Sequence, residues 1–282
     1  MIELSQNVSA YLIIVRPANF LITFFTGMVA VIICSKSNYF FDTAFLTGLS
    51  AALTASAGNI INDIFDIEID KINRPDRPLA SGLISKIDAV RFYIFLVILS
   101  FVISYFINLN ALLIVVASNI MLILYSKYLK RIQLLGNVIV ASLTGLVFIF
   151  GGVATDNLST AIIPSIFAFL INLIREVVKD MEDVQGDGRA GIITFPIKYG
   201  YQKSKIMILI ITFSLILFTG YPFVRQLYKI EYFILVMVIV NPIIIYTLKS
   251  LFENQSRKNL NKISNLLKLS MVFGLIAIYL GV

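Results

Sequence analysis

Apolar residues run along this chain in stretches that exceed the core elements of a water-soluble protein. A helix advances about 1.5 Å per residue, so crossing a hydrocarbon layer about 30 Å thick takes roughly 20 residues. Nine stretches qualify, at about 11–34, 43–64, 88–107, 110–126, 134–153, 160–179, 205–223, 231–250 and 264–282. Short polar breaks divide them. NYFFD, TDN and GYP carry turn-forming residues, and only NLN at 108–110 parts the third stretch from the fourth. The pattern predicts an all-α, polytopic membrane protein, a bundle of nine transmembrane helices forming one domain over 1–282. The first stretch contains Arg16 and Pro17 and is too long and too interrupted for a cleaved signal core, so it reads as a retained helix.

Composition agrees with the pattern and narrows the chemistry. Hydrophobic residues make up 59% and charged residues 14% of the 282, against roughly 45–50% and about 25% in soluble proteins. Cys34 is the one cysteine and there is no histidine. An intrachain disulfide, thiolate or imidazole metal sites, a histidine base and a Ser-His-Asp triad are all excluded. A metal on this chain takes oxygen ligands, which selects hard ions such as Mg²⁺.

Charge then gives orientation. Of the 23 Lys and Arg residues, 20 fall at the N-terminal end or in the loops between helices 2–3, 4–5, 6–7 and 8–9. Lys36, Arg225 and Lys229 alone fall on the other side. The positive-inside rule makes the basic side cytoplasmic, with the N-terminus inside and the C-terminus outside in the cell membrane. The net charge of +7 is therefore mainly a topology signal that also attracts anionic membrane lipids, and it does not argue for nucleic acid.

Acids collect at two places. GNIINDIFDIEID carries Asn59, Asn62, Asp63, Asp66 and Asp70, and REVVKDMEDVQGD carries Glu176, Asp180, Asp183 and Asp187. Asn59, Asp63, Asp66 and Asp70 match Glu176, Asp180, Asp183 and Asp187 at a constant offset of 117 residues, and Lys86 matches Lys203. The offset spans an even number of crossings, so the pattern implies two parallel four-helix repeats, about 11–126 and 134–250, plus a ninth helix. Within each set the spacing i, i+4, i+7, i+11 lies on one helical face. Carboxylates at a membrane edge are costly and mark function. Two such strips facing one another would repel, and a divalent cation between them relieves the repulsion. Mg²⁺ usually takes its remaining oxygens from water and substrate phosphates. Bases suited to a diphosphate lie close in sequence: Arg74 and Arg77 after the first strip, Lys127, Lys130 and Arg131 in YSKYLKR, and Lys179 and Arg189 around the second.

NDIFDIEID resembles the NDxxDxxxD motif of the UbiA-type intramembrane prenyltransferases. KDMEDVQGD looks like that family's second motif, GRAGIITFPIKYG like the segment that follows it, and RPANF like its first-helix signature. The resemblance implies transfer of an isoprenyl chain from its diphosphate to an acceptor in the membrane. It places one Mg²⁺ on Asn62, Asp66 and Asp70 and another on Asp183 and Asp187, with Asp63 and Asp180 supporting. Asp66, Asp70, Asp183 and Asp187 are then the catalytic carboxylates. Arg74, Arg77, Lys127, Lys130 and Arg131 would hold the diphosphate, and Arg16, Asn19, Asn59 and Tyr125 would line the substrate pocket. An aromatic such as Tyr125 can face an allylic cation.

The motifs do not read the acceptor. REVVKDMEDVQGDGRAGIITFPIKYG looks most like the archaeal branch that moves a geranylgeranyl group from geranylgeranyl diphosphate to the sn-2 hydroxyl of geranylgeranylglyceryl phosphate. That lipid-like acceptor carries a phosphate needing further cations, a role open to Lys36, Arg16 or the loop bases. No obligate protein partner is implied. Aromatic acceptors of the quinone or tocopherol type are the alternative. Cation transport is a reading from another class. It fits less well, because transporter ligands usually sit near the midplane on broken helices.

Overall fold

The structure, a computed structural model, describes residues 2–35, 40–189 and 191–282. Lys36 lies outside them. The described residues form helices and turns and contain no strand. Nine helical segments among them are long and apolar enough to cross a membrane. The chain folds into two compact units: Met1–Lys130 with Val147–Ser159, and Arg131–Leu146 with Thr160–Val282.

The first unit begins with α1 (Ile2–Val15) and α2 (Pro17–Cys34), followed by α3 (Phe41–Phe65), α4 (Ile67–Asn73), α5 (Lys86–Ile107) and α6 (Leu109–Lys127). The expected single helix over 11–34 is therefore two helices. Pro17 pushes the residue before it out of the right-handed helical region and starts a new helix at its first position. Arg16 takes φ 58° and ψ 75°, a left-handed conformation that costs a non-glycine residue about 1–3 kcal/mol.

Helix α3 is the centre of this unit. Of its most apolar stretch 67% is buried, against 22% for α5 and α6. Its sequence explains why: Gly48, Ala51, Ala52, Ser56, Ala57 and Gly58 let neighbouring backbones come close. A Cβ on Gly27 of α2 would lie 2.8 Å from Gly48 Cα, and one on Gly48 would lie 2.5 Å from the Phe24 carbonyl oxygen. Leu53, Ala57, Ile60, Ile61 and Ile64 form the core with Leu96 and Ile103 of α5 and Ala10 and Ile14 of α1.

The narrow break at NLN is a capped helix end. Asn108 is extended, its Oδ1 accepts from the Ala111 N–H at 2.7 Å, and its Nδ2 donates to the Val153 carbonyl at 3.1 Å. Ser85 caps α5 in the same way through the Asp88 N–H.

The first acidic strip departs from one continuous helix. Helix α3 stops at Phe65, Asp66 takes φ −102° and ψ 9°, and α4 carries Asp70 onward. Backbone bonds Asp66 N–H to Asn62 O (3.0 Å) and Asp70 N–H to Asp66 O (2.8 Å) keep the one-turn spacing through the redirection.

The second unit takes the start of α7 (Leu135–Ala154), most of α8 (Leu158–Arg189), then α9 (Phe195–Val224), α10 (Ile230–Leu235), α11 (Asn241–Glu253) and α12 (Arg257–Gly281). Helix α8 is longer than the expected 160–179 and carries Glu176, Asp180, Asp183 and Asp187 on one uninterrupted helix. Helix α9 also begins earlier than expected and kinks at Gly200 (φ 77°). The expected helix over 231–250 contains a π segment, Val236–Val240. Pro242 follows it and supplies no N–H to the preceding turn, which opens the local register. Tyr232 ties α10 to α9 through its hydroxyl, which donates to the Thr219 carbonyl at 2.9 Å. Helix α12 packs on α10, where a Cβ on Gly281 would lie 2.4 Å from the Tyr232 Cβ.

Outward-facing side chains remain apolar. Phe106 is 73% exposed, Val238 67% and Phe213 61%. Surfaces of this kind match lipid rather than water.

Candidate active site

The polar cluster of the first unit grows from the breaks just described. The left-handed turn at Arg16 precedes α2, and its guanidinium meets α3: Nη1 donates to Asn59 Oδ1 at 3.1 Å and Nη2 to Asp63 Oδ1 at 2.6 Å. Arg77, from the loop after α4, donates from Nη1 to Asp63 Oδ1 at 3.0 Å and to Asp70 Oδ2 at 2.6 Å. Lys130, in the short 3₁₀ turn Leu129–Arg131 after α6, donates to Asp66 Oδ1. Asn62 Nδ2 donates to Asp66 Oδ2 at 2.9 Å. Three carboxylates and three cations thus form two neighbouring sets, Arg16–Asp63–Arg77–Asp70 and Lys130–Asp66, near the start of α2, the junction of α3 with α4 and the end of α6.

Burial sharpens these pairings, because charges screened from water must find partners. Burial pulls the Arg16 guanidinium down from its usual range, and the adjacent Asp63 opposes that pull. Burial works against the charge of Arg77 as well, but Asp63 and Asp70 outweigh it and hold the group above its ordinary value. Burial raises Asp70 against the counter-pull of Arg77.

In the second unit α8 presents its own strip. Asn137 of α7 donates from Nδ2 to Asp180 Oδ2 at 2.9 Å, and Asn172 donates to Thr144 Oγ1 at 3.0 Å. Glu176 accepts from Arg175 and from Lys179, each at 3.1 Å. Asp183 has one buried carboxylate oxygen.

The structure brings together Arg16, Asn59, Asn62, Asp63, Asp66, Asp70, Arg77 and Lys130 in the first unit. It does not bring Lys127 into that set; its ammonium lies over the Tyr128 ring, 4.9 Å from the centroid. Arg131 is exposed, and Asn19 and Tyr125 are half-buried. Asp180, Asp183 and Asp187 belong to the second unit. Asn137 and Arg175 lie outside the residues that the motifs point to. Asn137 is an ordinary polar residue near the start of an apolar helix, and only the tertiary fold reveals its partner.

Oxygen donors alone line both strips, which suits Mg²⁺. Among the described residues no three carboxylates converge into a complete metal cage. Mg²⁺ seldom uses such a cage, since it keeps waters and takes oxygens from substrate phosphates. The residues present fit an ion that arrives with a diphosphate.

Comparison with known proteins gives the same direction. The model of the UbiA prenyltransferase family matches residues 20–272. The digeranylgeranylglyceryl phosphate synthase of Methanocaldococcus jannaschii is 36% identical over 280 residues, covering 98% of this chain and 97% of that protein. A solved structure described for digeranylgeranylglyceryl phosphate synthase in membranes superposes with a TM-score of 0.77 at 36% identity, covering 98% of both chains. A UbiA homologue from Archaeoglobus fulgidus, solved with GPP and Mg²⁺, shares the fold at a TM-score of 0.67 and 21% identity, covering 95% of this chain and 99% of that one.

Proposed function

The chain belongs to the UbiA prenyltransferase family, and from that premise we propose that it transfers a geranylgeranyl group from geranylgeranyl diphosphate to the sn-2 hydroxyl of geranylgeranylglyceryl phosphate. The observation that carries this reading is the end-to-end similarity, at 36% identity, to a synthase of that ether lipid. The protein is a multi-pass membrane prenyltransferase.

The proposed ligand sets are Asn62, Asp66 and Asp70 in the first unit and Asp183 and Asp187 in the second, with Asp180 supporting. Mg²⁺ bound there would neutralise charge on the departing diphosphate. Lys130 and Arg77, held against Asp66 and Asp70, are the chain's own cations for the diphosphate oxygens, and Arg74 follows α4 close by. Drawing negative charge from the leaving group loosens the allylic C1–O bond. The sn-2 oxygen bonds to C1 as that bond breaks, the electron pair leaves with the diphosphate, and the hydroxyl proton passes to a carboxylate, a released diphosphate oxygen or water. Apolar helices keep water from the allylic cation, and Tyr125, half-buried on α6, supplies an aromatic face.

The decisive experiment incubates purified protein with Mg²⁺, geranylgeranyl diphosphate and a panel of acceptors: geranylgeranylglyceryl phosphate, hydroxybenzoate, dihydroxynaphthoate and homogentisate. Mass spectrometry is expected to find the prenylated glycerol phosphate. Product on an aromatic acceptor alone would replace this reading with the aromatic one.

The reading also places the N-terminus and both acidic strips on the cytoplasmic face and the C-terminus outside, as the distribution of basic residues supports. Single cysteines introduced near each terminus in a Cys34→Ala background test this. The C-terminal one should react with an impermeant thiol reagent in intact cells, and the N-terminal one only after lysis. The reverse pattern would invert the topology.

A further inference from the structure

The second position of the first acidic motif, Asp63, has surroundings that set it apart from its neighbours. It is 3% exposed. A single oxygen, Oδ1, accepts from Arg16 Nη2 at 2.6 Å and from Arg77 Nη1 at 3.0 Å. These guanidiniums come from distant parts of the chain, one at the start of α2 and one after α4. Two like charges converging at one buried point repel one another unless an anion lies between them. Asp63 is that anion. Asn59 extends the hold by accepting from the second amino group of Arg16, and Asp70 does so by accepting from Arg77.

This arrangement does not suit a supporting metal ligand. A cation approaching Asp63 Oδ1 would meet two guanidiniums already in place. Asp66 is different in that neither oxygen carries two cations: Oδ1 accepts from Lys130 and Oδ2 from the Asn62 amide. The left-handed backbone of Arg16 fits the same account. The strained turn is retained where its side chain is fixed at the far end by Asn59 and Asp63.

We propose that Asp63 is a positioning residue. It holds Arg16 and Arg77 together as a paired-guanidinium cradle for the isoprenyl diphosphate and does not bind the metal. The inference rests on the prenyl-diphosphate reading above. A guanidinium pair presents several N–H donors in fixed planes and matches phosphate oxygens in a way that one mobile ammonium does not.

The test measures binding and turnover for Asp63→Asn, Arg77→Gln and the double variant in the full-length protein. Titration of geranylgeranyl diphosphate with Mg²⁺ present should show affinity falling about tenfold or more for Asp63→Asn. The Mg²⁺ concentration for half-maximal activity should stay within about twofold of wild type, while Asp66→Asn should raise it strongly. The double variant should lose clearly less diphosphate affinity than the two single losses combined, because Asp63→Asn and Arg77→Gln share the Asp63–Arg77 contact and only the Arg16 contact is lost separately. Gel filtration and thermal unfolding in detergent check that each variant is folded, and the split between donor and metal is a readout that a general packing defect would not produce. A raised Mg²⁺ requirement with unchanged diphosphate affinity would overturn the proposal and restore Asp63 to the metal. Losses that simply add in the double variant would overturn it too. If the wild type fails to bind geranylgeranyl diphosphate, the prenyl-diphosphate reading itself falls, an outcome distinct from a wild type that binds and an Asp63→Asn that binds equally well.

Discussion

At the scale of single residues, the proposed function rests on carboxylates and on the basic residues paired with them. Asp66 holds Lys130 and Asn62, and Asp183 offers a buried carboxylate oxygen on α8. Asp66→Ala and Asp183→Ala are each expected to reduce product formation by at least about a hundredfold, the scale of losing a principal electrostatic contact in the transition state. Both proteins should still elute as folded material. Near-normal turnover in either would contradict the two-metal assignment. The acids were legible in the sequence, because their spacing is helical and their offset constant. Their partners were not. Arg16 and Asn59 lie 43 residues apart, Asp66 and Lys130 64 apart, and periodicity identifies a face without naming what meets it. Asp63 illustrates the difference: its place in the motif suggested a supporting role at the metal, and nothing in that place foretold the two guanidiniums on its oxygen.

At the scale of elements, breaks matter as much as helices. Hydropathy could not separate α1 from α2, because an apolar run continues through Arg16-Pro17; Pro17 did not by itself split the expected helix, and the fold shows both the break and its left-handed turn. The same limit hid the end of α3, where Asp66 leaves helical geometry inside an unbroken polar-apolar pattern. By contrast Asn108 was readable, since an asparagine at a helix start is a local cap that needs no distant partner. Small residues act as elements too. Gly48→Leu places a side chain where even a Cβ would lie 2.5 Å from the Phe24 carbonyl oxygen, and overpacking of this kind costs about 1–3 kcal/mol. It should lower the midpoint of thermal unfolding in detergent clearly below wild type. Gly220→Ala, at a site where nothing lies within 4 Å, should not. Equal midpoints for all three proteins would mean that the α2–α3 crossing is looser than described.

At the scale of the whole molecule, the long apolar helices make a protein whose outside suits lipid and whose charges gather at helix ends. Their number was legible because each crossing demands about 20 apolar residues, a constraint the bilayer enforces on every membrane helix. The motifs alone do not read the acceptor; the longer resemblance over 175–200 pointed to the glycerol phosphate ether, and whole-length similarity to a digeranylgeranylglyceryl phosphate synthase supports that choice. The central claim is that this acidic and basic machinery performs metal-dependent prenyl transfer to a glycerol phosphate ether. The most direct test follows product by mass spectrometry as purified protein acts on geranylgeranyl diphosphate and geranylgeranylglyceryl phosphate, with EDTA added midway and Mg²⁺ then restored in excess. Product should accumulate, stop with the chelator and resume with the metal. Accumulation that continues undiminished through chelation, or no product at any stage, would contradict it.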